Sequence, residues 1–360
     1  MSKKKIGMKE VLERIARINP LDTEAMERAR TRQGQLTKPA GSLGLLEDIA
    51  VQIAGITQRP LPSVERKAVI VMAGDHGVTS EGVSAYPAAV TPQMVYNFLQ
   101  GGAAINALAR YVGVRVIVVD VGVAADIQHP GLLSRKVAFG TANMAMGPAM
   151  THAQMLEAIQ VGMYVLDAQV DEGIDLIAIG DMGIGNTTAS SAITAALLQT
   201  PVALVTGYGT GISDEQRAHK IRVIERALER NAPDPHDPLD VLMKVGGLEI
   251  AGLVGVIVAA ASHRIPIVID GFISGAAALI AVTLNPTIGA YLLAGHASVE
   301  RGHSLILDRL GLSPLLDLRL RLGEGTGAVL AMGLIDAALH THAEMATFEE
   351  AGVSERKEEE

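Results

Sequence analysis

Residues Ile174–Ala192 read I-D-L-I-A-I-G-D-M-G-I-G-N-T-T-A-S-S-A, and this stretch decides the fold class. A short apolar run ends at Gly180 and Asp181, a glycine-rich turn follows, and an alanine-rich helical pattern begins near Asn186. A strand that passes through a tight turn into the start of a helix is typical of α/β proteins. The bare backbone of the turn and the positive end of the helix dipole favour an anion such as phosphate. A tight turn without a ligand is the alternative, because glycine is common wherever φ is positive.

The same order of strand, glycine and helix recurs along the chain. Six short, β-branched apolar runs end in Gly together with Asp, His or Thr, and helical patterns separate them. These runs are Ala68–Ala73, Val114–Val119, Leu176–Ile179, Val202–Val205, Ile265–Ile269 and Tyr291–Ala294. Strands that are apolar on both faces predict an α/β fold with a parallel sheet covered by helices on both faces. Ligands of such sheets bind outside the carboxyl ends of the strands, so we expect these loops to converge on one site.

The two ends of the chain have helical patterns. Glu10–Ile18 and Thr23–Gln33 have charged residues on one face and apolar residues on the other, and Leu45–Ile56, Leu305–Leu310 and Ala328–His340 are also predicted to be helical. We predict that residues 1–60 and 305–345 pack together as a small helical domain, and that residues 61–304 form the α/β substrate-binding domain. The charged tail, residues 346–360, is predicted to be disordered.

The composition excludes several classes of protein. The 360 residues carry a net charge of −9, which argues against a nucleic-acid binder, and the absence of cysteine excludes disulfides and thiolate chemistry. No apolar segment follows the charged start Met1-Ser-Lys-Lys-Lys5, so we expect no signal peptide. The longest apolar run, Ile250–Ala261, is too short to cross about 30 Å of hydrocarbon. A cytoplasmic location is therefore predicted.

A second glycine-rich loop precedes another helical pattern. Thr206–Asp214 reads T-G-Y-G-T-G-I-S-D, and its glycines expose backbone donors at Gly207 and Gly209. Lys220 lies within two turns of the start of the following helix, from where it could reach a phosphate. On spacing alone, a solvated helix face is the favoured interpretation of Lys220.

Acidic and histidine residues at the strand ends leave a metal site open. Asp and His at such positions build dinuclear phosphatase centres, although this spacing is unspecific and lacks a tight pair such as H-x-H. Asp75 and His76 could equally bond to the loop backbone. The candidate ligands are Asp75, His76, Asp181, Asp270, His296 and His303. A metal-dependent phosphohydrolase using Asp75, His76, Asp181 and Asp270 therefore remains an alternative, as does a nucleotide-binding module without catalysis.

One carboxylate stands between two glycines just before an apolar helix. The segment Leu322-Gly-Glu324-Gly325 gives Glu324 close access to a ligand. A carboxylate at this position can simply cap the helix. Apolar surroundings would instead raise its pKa and make it a usable base.

Eight motifs, in order along the chain, resemble one enzyme family. They are K-P-x-G-S-L-G (Lys38–Gly44), G-D-H-G-V with E-G-V-S-A-Y-P (Gly74–Pro87), V-T-P-Q-M (Val90–Met94), N-F-L-Q-G-G-A-A-I-N (Asn97–Asn106), G-D-M-G-I-G-N-T-T (Gly180–Thr188), D-G-F-I-S (Asp270–Ser274), G-H-x-S-x-E-x-G-H (Gly295–His303) and L-G-E-G-T-G-A (Leu322–Ala328). Together they resemble the nicotinate-nucleotide–dimethylbenzimidazole phosphoribosyltransferases of cobalamin nucleotide-loop assembly. The resemblance implies a Rossmann-like α/β domain with a small helical domain, in a homodimer. It also implies a reaction without metal or cofactor.

The resemblance assigns roles to particular residues. The family's catalytic base corresponds to Glu324, and its phosphate- or ribose-binding serine and lysine correspond to Ser298 and Lys220. We expect the whole phosphate and ribose site to comprise Gly180, Asp181, Gly183, Gly185, Asn186, Thr187, Gly207, Gly209, Lys220, Gly271 and Ser298. The segment Ser84–Gln93 is similar to the family's benzimidazole-binding loop, and the expected contacts are Ser84, Tyr86, Gln93 and Leu322.

The resemblance also implies the reaction. The phosphoribosyl group of nicotinate mononucleotide passes to 5,6-dimethylbenzimidazole with inversion at C1′, which gives α-ribazole 5′-phosphate and nicotinate. One position departs from the family pattern, because many members have Glu where this chain has Asp181. The shorter side chain withdraws that carboxylate by the length of a methylene group, which argues against its direct contact with substrate.

Overall fold

Seven parallel strands form a single sheet in the computed structural model, which describes residues 7–209 and 211–354. The strand order is β3-β2-β1-β4-β5-β6-β7, and every neighbouring pair is parallel. The strands are β1 (Lys67–Gly74), β2 (Arg115–Gly122), β3 (Leu132–Ser134), β4 (Leu176–Met182), β5 (Ile267–Ile269), β6 (Leu292–His296) and β7 (Pro314–Leu316). The first six follow the Rossmann order, with β7 added at one edge. The predicted α/β fold is confirmed.

Alternate side chains of the central strands enter two different cores. On β1, Ile70 and Met72 pack in one apolar core, whereas Val69 and Val71 pack in the other. The first core lies under the helices His152–Asp171, Asn186–Leu198, Leu248–Ser262 and Phe272–Leu284. The second lies under the helices Leu45–Thr57, Val90–Gln100, Ala104–Val112 and Thr326–Glu344. Both faces of the sheet are therefore covered, which explains why the strands are apolar throughout.

Fifteen α-helices lie within the described residues. They are α1 (Met8–Ala16), α2 (Thr23–Gln35), α3 (Leu45–Thr57), α4 (Val90–Gln100), α5 (Ala104–Val112), α6 (His152–Asp171), α7 (Asn186–Leu198), α8 (Val202–Val205), α9 (Asp214–Asn231), α10 (Pro238–Val245), α11 (Leu248–Ser262), α12 (Phe272–Leu284), α13 (Arg301–Leu310), α14 (Thr326–Glu344) and α15 (Phe348–Ala351). Short 3-10 helices cover Gly77–Glu81 and Pro286–Tyr291. Within the part of the chain that is described, no helix is long and apolar enough to cross a membrane.

Helices α6 and α11 cross at close range because glycines line the crossing. A Cβ atom on Gly162 would overlap the carbonyl oxygen of Gly252, and one on Gly255 would overlap that of Ile159. The backbones of the two helices therefore touch directly, and α11 also packs on β1, β2 and β4.

One predicted strand is wrong. Val202–Val205 forms the short helix α8, in which Val202 and Val205 are buried while the two residues between them are exposed. Burial at positions i and i+3 is a helical pattern, and so short an apolar run cannot be assigned from its periodicity. The strands β3 and β7 were not predicted, because three residues at a sheet edge are too few to show alternation.

The two ends of the chain contact each other and also the sheet. Helix α3 packs against α14, and the Arg32 Nε donates to the His342 carbonyl oxygen at 2.8 Å. However, α14 also packs on β4, β5 and β6. The division into residues 1–60 with 305–345, 61–304 and a tail therefore stays a prediction.

The short helix α15 lies within residues 346–360, the segment predicted to be a disordered tail. Helix α15 is capped reciprocally, because the Thr347 Oγ1 accepts from the Glu350 N–H at 3.2 Å and the Glu350 carboxylate accepts from the Thr347 N–H at 2.7 Å. Thr347 also forms an isolated β-bridge with Leu36. Residues 355–360, the charged start Met1–Lys5 and Thr210 lie outside the described residues.

Candidate active site

The site lies where the strand order reverses, between β1 and β4. Asp181 pairs with Met72 in the sheet, so the turns that follow both strands meet at the same edge. A Cβ atom on Gly183 would overlap the carbonyl oxygen of Gly74, and one on Gly185 would lie 3.1 Å from the His76 Cβ. Because these two glycines have no side chains, the turn after β4 can pack closely against the turn after β1. Their backbone N–H groups remain the candidates for binding an anion.

Glu324 lies on a loop that crosses directly over the end of β4. Gly323, Glu324 and Gly325 all have positive φ, at 80°, 64° and 87°. A side chain on Gly180 would overlap the carbonyl oxygen of Glu324. Positive φ is strained for a residue other than glycine, so the surrounding structure must hold Glu324 in place.

Asp270 holds this loop. Its Oδ1 accepts hydrogen bonds from the N–H groups of Gly327 and Ala328 at 2.7 and 2.9 Å, and its Oδ2 accepts one from the Gly325 N–H at 3.2 Å. These N–H groups open α14, where a buried carboxylate satisfies unpaired donors and interacts favourably with the helix dipole. Asp270 thus fixes the backbone that carries Glu324.

The Glu324 carboxylate is suited to exchange a proton near neutral pH. It is 4% exposed, and its Oε2 accepts a hydrogen bond of 3.3 Å from the Ile105 N–H at the start of α5. Burial raises the pKa of Glu324 to about 7, and the charge of Asp270 adds to this, against the hydrogen bond from Ile105. A base with a pKa near the working pH is the most effective. Sequence reasoning missed Ile105, because a backbone donor leaves no signal in the residue type.

Asp181 faces the Glu324 loop from β4. Its Oδ2 accepts from the Asn186 Nδ2 at 2.8 Å and would lie 3.3 Å from a Cβ atom on Gly323. Burial, followed by the charges of Asp270, Glu249 and Glu324, raises the pKa of Asp181 well above its ordinary value. The carboxylate is therefore engaged with the residue that ends the following turn, Asn186.

Lys220 reaches inward from α9 to the glycine-rich turns. It is 1% exposed, and its Nζ donates to the Thr187 Oγ1 at 2.7 Å. Gly209 lies against both groups, since its Cβ would be 3.0 Å from that oxygen and 3.4 Å from the Nζ. Burial lowers the pKa of Lys220 to about 8, although the charge of Glu300 opposes this shift. A solvated helix face is therefore the wrong interpretation of Lys220.

Ser298 and Gly271 lie at the ends of β6 and β5. The Ser298 Oγ accepts from the Glu300 N–H at 3.3 Å, and a Cβ atom on Gly271 would lie 3.7 Å from the Ser298 Cβ. Gly207 lies against the Glu300 carboxylate, and a Cβ atom on Gly207 would overlap the Glu300 Oε2. Sequence reasoning did not assign Glu300 to the site, although it is the acidic residue of the G-H-x-S-x-E-x-G-H motif.

The predicted benzimidazole loop lies beside the same turns. Thr91 in this segment is buried, and its Oγ1 accepts from the Ile184 N–H at 3.1 Å. The Ser84 Oγ accepts from the Tyr86 N–H at 3.2 Å. The side chains of Tyr86 and Leu322 are 54% and 57% exposed, and Gln93 is also exposed.

Of the candidate metal ligands, Asp75 and His76 contact different residues, and the His296 Nε2 lies 3.6 Å from the Asp270 Oδ1. The Asp75 Oδ2 accepts from the Ala124 N–H at 2.8 Å, and the His76 Nε2 lies 2.6 Å from the Glu249 Oε1. Burial lowers the pKa of His76, but the charge of Glu249 and its hydrogen bond outweigh burial and raise the pKa overall. Across residues 7–209 and 211–354, no three His, Asp or Glu side chains are grouped to hold a metal ion.

Comparison with known proteins decides the family. The sequence profile of a family described as phosphoribosyltransferase matches residues 18–353. The chain is 62% identical over 345 residues to the nicotinate-nucleotide–dimethylbenzimidazole phosphoribosyltransferase of Chloroflexus aggregans, an alignment that covers 96% of this chain and 98% of the relative. The chain belongs to the nicotinate-nucleotide–dimethylbenzimidazole phosphoribosyltransferase family. The phosphoribosyltransferase of the same name from Geobacter sulfurreducens is 57% identical over 344 residues, covering 95% of this chain and 98% of that one.

A solved structure agrees with the fold of this phosphoribosyltransferase. The crystal structure of the nicotinate-nucleotide–dimethylbenzimidazole phosphoribosyltransferase from Thermus thermophilus has a TM-score of 0.89 to this chain. It is 49% identical, and the match covers 93% of this chain and all of that one. The resemblance inferred from the eight motifs is confirmed, and the chain is an enzyme.

Proposed function

We propose that Glu324 acts as the general base when this phosphoribosyltransferase moves the phosphoribosyl group of nicotinate mononucleotide to 5,6-dimethylbenzimidazole. The observation that carries this proposal is the position of Glu324. It is a buried carboxylate at the carboxyl edge of a parallel sheet, held by backbone contacts from β4 and by a hydrogen bond from α5. Ligands of open α/β sheets bind at this edge.

The proton balance of the reaction explains why a base is needed on the acceptor side. One ring nitrogen of the benzimidazole attacks C1′ of the ribose, and the other carries an N–H. The C1′–N bond to nicotinate breaks, and the pyridinium nitrogen leaves as a neutral pyridine nitrogen without needing a proton. The new benzimidazolium would remain cationic unless Glu324 accepts the N–H proton. Assistance by a positioned base typically contributes about 10²–10⁴ in rate.

The glycine-rich turns are proposed to hold the 5′-phosphate, with Lys220 as the cation. The support is a buried ammonium group bonded to Thr187 beside the bare backbone of Gly209. The benzimidazole is proposed to lie between the loop of Ser84, Tyr86 and Gln93 and the side chain of Leu322. Attack from the face opposite the leaving group would give the α-configured α-ribazole 5′-phosphate.

A homodimer, which the resemblance implies, and a cytoplasmic location, which the sequence predicts, belong to the same proposal. Sedimentation velocity tests the homodimer directly. A single species at the monomer mass across micromolar concentrations would contradict it.

The test of the reaction is release of nicotinate with and without added 5,6-dimethylbenzimidazole. Nicotinate release is expected only when 5,6-dimethylbenzimidazole is present. Nicotinate release without it, or release of free phosphate, would indicate a hydrolase. Persistence of the reaction after exhaustive chelation would argue against a metal-dependent phosphohydrolase.

Glu324→Gln is expected to lower kcat by at least about 100-fold with folding intact. Glu215→Gln, an exposed residue of α9, is the matched control. Normal formation of α-ribazole phosphate by the Glu324→Gln enzyme would contradict the assignment of the base.

A further inference from the structure

Glu300 is a buried acid that the proposed reaction leaves unexplained. It precedes α13 and is 7% exposed, and its Oε2 is buried with no hydrogen-bond partner. Its backbone N–H donates to the Ser298 Oγ. Burying a carboxylate without a partner costs free energy, and native proteins retain few such groups. An acid kept in this state is suited to a ligand that donates hydrogen bonds.

The surroundings of Glu300 place its carboxylate inside the predicted nucleotide site. Its oxygens occupy the space where Gly207 would carry a Cβ atom, and Gly207 lies two residues before Gly209, which contacts the Lys220 Nζ. The charge of Glu300 also acts on Lys220, because it partly offsets the lowering of that pKa by burial. Glu300 is therefore close to the proposed phosphate site.

A chain of contacts joins Lys220 to the Glu324 loop, and its groups follow the order of groups in a nucleotide. Lys220 lies at one end, beside Gly209, and Gly207, two residues earlier in the same loop, lies against Glu300. Glu300 follows, and its N–H donates to the Ser298 Oγ. Ser298 in turn lies against Gly271. Asp270 then bonds to the loop of Glu324 at the other end. A phosphoribosyl group has its phosphate at one end, the reacting C1′ at the other, and the two ribose hydroxyls between them.

We propose that Glu300 accepts hydrogen bonds from the ribose hydroxyls of the nucleotide and makes this enzyme select ribonucleotides over deoxyribonucleotides. The inference rests on the proposed function. A carboxylate repels a phosphate, which offers only acceptor oxygens, whereas it binds hydroxyl groups that donate. A site built to bond a substrate hydroxyl rejects the analogue that lacks it strongly, because the buried partner is then left unpaired.

The experiment compares kcat/KM for nicotinate mononucleotide with the values for its 2′-deoxy and 3′-deoxy forms, using benzimidazole-dependent nicotinate release. The wild-type enzyme is expected to prefer the ribonucleotide over at least one deoxy form by about 100-fold or more. Glu300→Gln should reduce that preference at least tenfold, mainly by losing activity on the ribonucleotide. Glu215→Gln, which removes the same charge at the surface, should keep the wild-type preference.

Two results would overturn the role of Glu300. One is a wild-type enzyme without a preference for the ribonucleotide. The other is a Glu300→Gln enzyme that loses activity equally on all three nucleotides, which would mean that Glu300 acts only through the charge of Lys220. Failure of the proposed function looks different, since the wild-type enzyme would then release nicotinate without the benzimidazole, or release none from the ribonucleotide.

A stability measurement separates this role from a structural one. At pH 9, above the pKa of Lys220 of about 8, the charge of Glu300 no longer stabilises an ammonium group, and the ligand-free Glu300→Gln enzyme should melt at the wild-type Tm or above it because the Glu300 Oε2 is unpartnered. Loss of a structural contact would instead lower the Tm. If that variant does not fold, Glu300→Asp and Gly207→Ala provide the test. The first retracts the carboxylate, and the second displaces it by the added methyl group. Both should reduce the ribonucleotide preference, and an unchanged preference in both would overturn the proposal.

Discussion

Replacing Glu324 with Gln should stabilise the folded enzyme at alkaline pH while it removes the base. Burial raises the pKa of this carboxyl from 4.5 to about 7. One pKa unit corresponds to about 1.4 kcal/mol, so ionising Glu324 in the folded chain costs about 3 kcal/mol more than in the unfolded chain. A neutral glutamine avoids this cost and keeps an oxygen for the Ile105 N–H.

The size of the effect depends on pH in a defined direction. Folding takes up a proton at Glu324 between pH 4.5 and about 7, so the wild-type enzyme loses stability relative to the variant as the pH rises through this window. At pH 8 the variant should be more stable by about 3 kcal/mol, and at pH 5 by less than about 1 kcal/mol. Urea unfolding at both pH values, followed by circular dichroism, measures the two differences.

The control separates a buried charge from a general change in charge. Glu215→Gln, at the surface of α9, should show no comparable difference between pH 5 and pH 8. A Glu324→Gln enzyme that is less stable than the wild type at pH 8, or equally stabilised at both pH values, would refute the reasoning. The carboxylate would then be ionised at little cost in the folded enzyme.

Three further predictions concern the site and the loop that carries it. The wild-type kcat/KM should rise with pH up to about 7 as Glu324 ionises. The KM for the nucleotide should increase above about pH 8 as Lys220 loses its proton. A pH profile that is flat from pH 6 to pH 9 would contradict both assignments. Lys220→Ala should raise the KM for the nucleotide much more than the KM for the benzimidazole, and steady-state kinetics with each substrate varied measures this; equal increases would count against a phosphate role. Gly180→Ala should displace the Glu324 loop, which should lower kcat and reduce the free energy of unfolding by about 1–3 kcal/mol, as measured by urea unfolding. The same substitution at Gly147, where a Cβ atom would meet open space, should change neither kcat nor stability.

Several parts of the site could be predicted from residue patterns. The glycine-rich turns, the lysine that follows the second turn and the carboxylate between two glycines are all recognisable from types and spacing. The spacing by itself nevertheless favoured a solvated Lys220, because helical periodicity does not reveal what packs against a helix. Only the fold shows that its side chain is buried against Thr187.

Asp270 shows why strand-end acids are hard to interpret without a structure. Its position after β5 is equally consistent with a metal ligand and with a structural contact. In the fold its oxygens accept from three N–H groups around the start of α14, more than fifty residues further along the chain. The missed strand β7 and the short helix α8 have the same cause, since runs of three or four residues take the conformation that their neighbours impose.

The sequence by itself determined the class of fold, the family and the identity of the proposed reacting carboxylate, because these depend on local patterns and on motifs in a fixed order. The tertiary structure decided the protonation behaviour of the site. The pKa values of Glu324 and Lys220 depend on burial and on charges from distant segments. It also brought Glu300 against Gly207, a contact between residues far apart in the chain. Desolvation and the approach of distant charges arise only when the strands and loops are assembled, so no local pattern encodes them.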